Sequence, residues 1–366
     1  MEILSQWLDR ASIGESSVAD GELDIAQSAK IIALANQKCA EWAARWCSVD
    51  VGRIVLTTGT TDACDAALLV RNEIPEVIVY TDLAHNCTRG SVIGASRFLS
   101  TISNTNVTTA TLAISDLFSL PPKRFVNEMY RRLSGLIDGR KAILVLEHVT
   151  SVEGFRLPLD HIVDRSTSLL PQVDLVIDGS QAVGLWRPPA SLTGAYVGCF
   201  HKYLDGPVAT GFAVLPSGLA EMAPYRLSIT RVPLQDCPEE HFPTTDIGKW
   251  TLCSKSLEEF EKGRSTSERI TVIENFRELL VQELPEQLLD RANHVLPIYK
   301  SHILLLKSEP LIDIVTVWQF LRNRGFSTKR TTEGIRITLH DGLRIEMIES
   351  FSSILAQAVH TQVKTA

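Results

Sequence analysis

Two charged residues stand at the ends of apolar runs, about two dozen positions apart. Residues 173–177 (VDLVI) lead into Asp178, and residues 195–200 (AYVGCF) lead into His201-Lys202, followed by Asp205-Gly206-Pro207. A carboxylate after apolar strand residues is costly to bury unless it is paired. Acidic and basic groups at the carboxyl ends of neighbouring strands are where an open α/β sheet keeps its ligand. This pair suits a cofactor held by a ring nitrogen and an aldehyde. Asp178 would keep a pyridine nitrogen protonated, so that the ring accepts the electrons of a carbanion at a substrate's α-carbon. Lys202 would form the imine and, once displaced by substrate, move the α-proton as a free amine. Pyridoxal phosphate is the cofactor with both handles. Gln181 can donate to its phenolic oxygen, and His201 can contact its phosphate. A lone lysine is ordinarily a surface charge. The apolar run before Lys202 and the Gly-Pro after it weaken that reading.

Three other stretches carry candidate chemistry. In Thr57-Thr58-Gly59-Thr60-Thr61 a glycine among hydroxyls separates a short apolar run from a helical one. Backbone N–H groups there can approach a phosphate, with Thr60 and Thr61 as side-chain donors. Alone, the turn reads more readily as an ordinary capped helix start. Next, residues 82–88 (DLAHNCT) place His85 just past a strand, where an imidazole could lie over a pyridine ring and exchange protons. A lone loop histidine is more often solvated or capping. Finally, residues 144–154 (LVLEHVTSVEG) end a strand with Thr150 and Ser151, which suit a cofactor or substrate contact or a self-satisfied turn. His148 in the same stretch is as readily structural as catalytic.

The elements that must position these groups follow from periodicity. Apolar spacing of three and four predicts a long helix over 23–46, with further helices over 63–69, 88–98, 121–136 and 158–169. Short apolar strands are expected at 53–56, 77–80, 107–111, 142–146 and 173–177. Strands alternating with helices of about a dozen residues predict a parallel, helix-covered sheet. Prolines 216, 224, 233, 238 and 243 mark a boundary. Beyond it, one long helical connector over 250–279, another helix over 280–297 and a small α+β module are expected. The division is an N-terminal arm (1–22), a large domain (23–240), and a connector with a small C-terminal domain (241–366). Net charge is −7, with 45% hydrophobic and 22% charged residues, which describes a globular chain. Without a basic tract, nucleic-acid binding is unsupported. No apolar run reaches the roughly 18 residues of a bilayer span, and no secretory leader is evident, so a cytoplasmic protein is expected. Seven scattered cysteines, with no Cys-x-x-Cys pair, read as reduced thiols rather than a disulfide framework or metal site.

Taken in order, TTGTTDA, the His85 loop, HVTSVEG, DGSQAVG and HKYLDGP resemble the class V aminotransferase family of fold-type I pyridoxal-phosphate enzymes. That family includes cysteine desulfurases, kynureninases, isopenicillin N epimerase-like proteins and C–S lyases. The resemblance implies an α/β fold-type I transferase, a homodimer and an amino-acid substrate. It implies Lys202 as imine lysine, Asp178 as partner of the ring nitrogen, Gln181 near the phenolic oxygen and His85 as stacking residue. Thr60, Thr61 and His201 would surround the phosphate. Gly334-Ile335-Arg336-Ile337-Thr338 looks like the strand whose arginine takes the substrate carboxylate, with Arg330 and Arg344 as alternatives. Cys199 replaces a phosphate-site serine, and Ser151 stands where desulfurases have asparagine. Thr245 matches a segment reaching the partner subunit's phosphate, but Thr244 replaces its glycine. The last cysteine is Cys253, which argues against a C-terminal persulfide nucleophile. The expected chemistry is therefore Cα deprotonation leading to β-elimination, as in a C–S lyase. Transamination or epimerisation on the same site are the alternatives. A non-catalytic dimeric scaffold would be expected to lose Lys202 or Asp178, and both are present.

Overall fold

The computed structural model describes residues 25–219, 247–284, 296–307 and 313–363. Its apolar runs form a seven-stranded sheet from β1 (Ile54–Thr57), β2 (Val77–Thr81), β3 (Thr108–Leu112), β4 (Ala142–Glu147), β5 (Val173–Asp178), β6 (Ala195–Cys199) and β7 (Gly211–Val214). The order is β1-β7-β6-β5-β4-β2-β3. From β3 across to β6 all pairings are parallel. β7 alone runs against both of its neighbours, β6 and β1. The sheet is mainly parallel, as expected, and its one reversal comes from the link between β6 and β7. It is too short for a crossover helix, so the chain must reverse.

Helices cover both faces. Leu144, Leu146, Leu175 and Ile177 pack on α1 (Ile25–Cys47), α4 (Pro122–Ile137) and α5 (Leu159–Leu169). Ile143, Val145, Val176 and Val197 pack on α2 (Thr60–Leu69) and α3 (Asn86–Ser103). Strands buried on both sides read as continuous apolar runs. The alternation also fixes the site. Glu147 and Asp178, which continue the rows 143–145 and 176, emerge on the α2/α3 side at the strand ends.

After β7 the expected single connector helix is two. α6 (Ile247–Lys262) lies along α1, with ion pairs Lys38–Glu258 and Arg45–Glu261, and α7 (Thr266–Glu283) follows. The break is a capping box. Ser265 Oγ accepts from the Glu268 N–H, and the Glu268 carboxylate reaches back 2.7 Å to the Ser265 N–H. The helix expected over 280–297 falls largely outside the described residues. At its far end Pro297–Tyr299 is a single 3₁₀ turn.

A second, antiparallel sheet has the order β8-β10-β9, from β8 (Ile303–Lys307), β9 (Lys329–Arg330) and β10 (Gly334–Thr338). Leu304, Leu306, Ile335 and Ile337 on one face pack with α7, α8 (Ile314–Asn323) and α9 (Ile345–Val363). On the other face Ile303 packs on Val149 and Ala182 of the large sheet's loops. Among the described residues no helix is long and apolar enough to cross a membrane.

Candidate active site

Asp178 and Glu147 are partners in the β5–β4 register, and both are buried. Asp178 is fully engaged. Its Oδ2 accepts from the Thr88 hydroxyl at 3.0 Å, and its Oδ1 from the backbone and hydroxyl of Ser180 at 2.9 and 2.5 Å. Three donors thus converge on one carboxylate. Glu147 has one donor, the His85 backbone N–H at 2.9 Å, and its Oε2 is buried with no partner. Burial, and then the charge of Asp178, push the Glu147 carboxyl well above the usual carboxylate range. The turn that carries Gln181 starts at Gly179, where a methyl group would overlap the Tyr196 hydroxyl. Gln181 itself is buried.

The turn before α2 folds as an open anion seat. Gly59 takes φ +123°, a conformation side chains rarely adopt, and as N-cap it offers α2 no side-chain partner. The Thr60 hydroxyl is buried and also lacks a partner, whereas Thr61 is exposed. Asp62 turns away to the Thr58 hydroxyl and N–H, each at 3.0 Å. Behind the turn Gly59 packs on Gly211, which brings the β6–β7 loop alongside. In that loop His201 Nδ1 lies 3.2 Å from the Thr210 carbonyl. Burial, followed by the charges of Lys202 and Lys249, depresses the His201 imidazole. Cys199 donates its thiol to the Ser180 carbonyl at 3.6 Å, linking this loop to the Asp178 turn. Lys202 is half-buried and makes no ion pair with a described residue.

His85 caps α3, its Nδ1 accepting from the Cys87 N–H at 3.2 Å. That bond places the proton of the neutral ring on Nε2. Burial first, then the charges of Lys202, Lys329 and Arg336, hold His85 below its ordinary value. His85 sits on the wall of a cleft of about 1220 Å³ that residues of the second sheet also line. Arg336 lines the same cleft and donates Nη1 to the Ser151 carbonyl at 2.7 Å. Its Nε and the Ser151 hydroxyl are both buried without partners. Asp178, Thr60 and Lys202 lie outside the lining of the cleft, and His85 is the link between the two regions.

The structure thus brings Asp178, His85, Thr60, Lys202 and His201 to one end of the large sheet, with Arg336 of the second sheet on the cleft wall, hydrogen-bonded to the Ser151 carbonyl. Thr150 is spent on its turn, accepting from the Phe155 N–H at 2.9 Å. His148 is structural: it is buried against the Tyr196 hydroxyl, and burial followed by the Arg156 charge lowers it to about 3. Arg330 also lines the cleft, but its guanidinium lies over the Trp318 ring; Arg344 is exposed and outside the lining. Thr245 lies outside the described residues. Glu147 was not singled out by the sequence. Its signal was the one that marked Asp178, a carboxylate closing an apolar strand.

No protein-family model matches the chain, and no curated protein does. Solved structures do. A cystine C-S lyase, solved with its product cysteine persulfide, is similar at 17% identity, covering 89% of this chain and 87% of its own, with a TM-score of 0.70. A cysteine desulfurase from Thermococcus onnurineus NA1 is similar at 13% identity, covering 92% and 85%, with a TM-score of 0.68. The serine palmitoyltransferase of Sphingomonas wittichii is similar at 15% identity, covering 95% and 79%, with a TM-score of 0.64. With its mostly parallel seven-stranded sheet and smaller second sheet, the chain has the fold of the fold-type I pyridoxal-phosphate-dependent transferases.

Proposed function

We propose that the protein is an enzyme that binds pyridoxal phosphate and acts on an amino acid at its α-carbon. The observation that carries this reading is a fully hydrogen-bonded carboxylate, Asp178, near an unpaired lysine, Lys202, beside an uncapped helix start. The residues fit the group. A phosphate would supply acceptors for the partnerless Thr60 hydroxyl and the first N–H groups of α2, and Asp178 suits a protonated ring nitrogen. When bound, pyridoxal phosphate supplies an electron sink for a carbanion. In this reading Asp178 keeps the ring nitrogen charged, Gln181 donates to the phenolic oxygen, and His85 supplies the stacking imidazole. Thr60, Thr61 and His201 hold the phosphate. Lys202 holds the aldehyde carbon and then moves the proton of the substrate's α-carbon. Arg336, with Ser151 at its side, takes the substrate carboxylate with two parallel donors.

Among the outcomes open to the carbanion we favour loss of a β-substituent, as in a C–S lyase. Supporting this are the similarity to a cystine C-S lyase and the placement of the last cysteine, Cys253, which is buried. One observation favours a second reading, sulfur transfer. Cys87 is an exposed thiol two residues from His85.

Purified protein mixed with pyridoxal phosphate should acquire a visible absorption band, and Lys202→Ala should abolish it. Protein that stays colourless overturns the proposal. Pyruvate and ammonia released from cysteine conjugates indicate elimination, and conversion of the cofactor to its amine form indicates transamination. A persulfide on Cys87, with sulfide released from it by an added thiol reductant and lost in Cys87→Ser, indicates sulfur transfer.

A further inference from the structure

The second sheet turns one face to the cleft, and its register decides which side chains stand there. Arg336 on β10 is the Cα partner of Lys329 on β9 and of Leu305 on β8, while Gly334 is the partner of Lys307. Partners in register share a face, and neighbours along a strand alternate. Arg330 therefore goes with Ile335 to the opposite, apolar face, where its guanidinium lies 5.7 Å from the Trp318 ring centre. Lys307, Lys329 and Arg336 share the cleft face and line the cleft; Arg330 also contributes to its wall, with its guanidinium turned onto Trp318.

Lys329 and Arg336 are directly opposed cations, an arrangement that is unfavourable unless an anion lies between or beside them. Lys329 is exposed and makes no ion pair with a described residue. His85 lines the same cleft as both. Two of the acids lining the cleft are already engaged. The Asp82 carboxylate accepts the N–H groups of Ile114 and Ser115, and Asp116 holds Arg132 at 2.7 Å. Glu153 and Glu333 also line it. A single α-carboxylate occupies the fork of one arginine. That leaves the lysine, a compact point charge, for something else.

We propose that Lys329 binds a second anionic group on the substrate, so that the site prefers amino acids with a carboxylate in a short side chain over neutral ones. This rests on the reading that Arg336 holds the α-carboxylate. Opposed residues have Cβ atoms about 4.5–5.5 Å apart, a spacing that suits two carboxylates joined by a short carbon chain.

The test is calorimetric binding of unreactive acids to the cofactor-loaded protein, comparing glutarate and succinate with butyrate. The expected result is a preference of about fivefold or more for the dicarboxylates, lost in Lys329→Met and kept in Lys329→Arg. Equal affinity for both classes, or a Lys329→Met variant that weakens both equally, overturns the inference. The outcomes separate it from the functional reading. Protein that takes up no pyridoxal phosphate, yet shows a Lys329-dependent dicarboxylate preference, sinks the enzyme proposal and supports this one. Protein that loads the cofactor through Lys202 without that preference sinks this one alone.

Discussion

Glu147 and Asp178 close adjacent strands in register, but Asp178 accepts three hydrogen bonds and Glu147 one. The single bond of Glu147 goes to the backbone N–H of His85, so it acts on the site through that residue's position. Glu147→Gln keeps an acceptor oxygen of the same shape. It should leave cofactor affinity close to that of the parent, and stability as well at acid pH, where the parent's carboxyl is neutral in both states. Glu147→Ala orphans the His85 N–H, which should cost about 1–3 kcal/mol in urea unfolding and weaken cofactor binding. Equal behaviour of the two variants would show that the acid does not work through His85. The same comparison explains what was readable. Asp178 and Lys202 were legible because each ends an apolar run. His85 needed the company of the other motifs, since one loop histidine carries no spacing signal. The orphaned Thr60 and Ser151 hydroxyls are properties of packing, which no linear pattern records.

The loop that carries Lys202 is tied down by the next residue. The Tyr203 hydroxyl donates to Asp341 Oδ1 at 2.7 Å, and Arg269 Nη1 binds Asp341 Oδ2 at 3.2 Å, joining β6–β7, α7 and the end of β10. Tyr203→Phe removes one hydrogen bond and should cost about 1 kcal/mol. Asp341→Ala leaves Arg269, whose side chain is 7% exposed, as a buried cation without this partner. That loss should be larger, about 3–5 kcal/mol. Equal midpoints for the two variants in urea would mean that the Arg269–Asp341 pair contributes nothing. Strand and helix positions in the large sheet followed from apolar runs and spacing. Three features did not. The reversal of β7 depends on the length of a loop. The break at Ser265 depends on a cap that helical periodicity runs straight through. The pairing of Lys329 with Arg336 depends on a two-residue strand, too short to leave a pattern.

At the scale of the whole molecule, buried titratable groups of opposite sign shape the response to acid. His148 and His302 are buried neutral, each lowered to about 3, first by burial and then by nearby cations (Arg156 for His148, Arg336 and Lys202 for His302). An unfolded histidine titrates near 6.5. Below that pH the unfolded chain binds two protons that the folded chain refuses. Their contribution to stability is complete above about pH 6.5 and is lost as pH falls toward 3, at roughly 2.7 kcal/mol per pH unit for the pair. Glu147 runs the other way. Its raised value means that the folded state holds a proton the unfolded chain releases above about 4.5. Acidification from neutrality toward 4.5 therefore favours the fold by roughly 1.4 kcal/mol per unit. His85 and His201, half-buried and lowered mainly by burial, add to the histidine side. Between pH 6 and 5 the parent should thus lose stability at a rate softened by Glu147. Glu147→Gln, with nothing left to titrate there, should lose it about 1.4 kcal/mol per unit faster. The window stays above the range where surface carboxylates such as Asp116 and Glu268, held low by their hydrogen-bond partners Arg132 and Ser265, begin to protonate. Urea midpoints at several pH values on both proteins measure the two slopes. Parallel slopes would mean that Glu147 is ionised in the folded protein, and the neutral acid beside Asp178 would have to be abandoned.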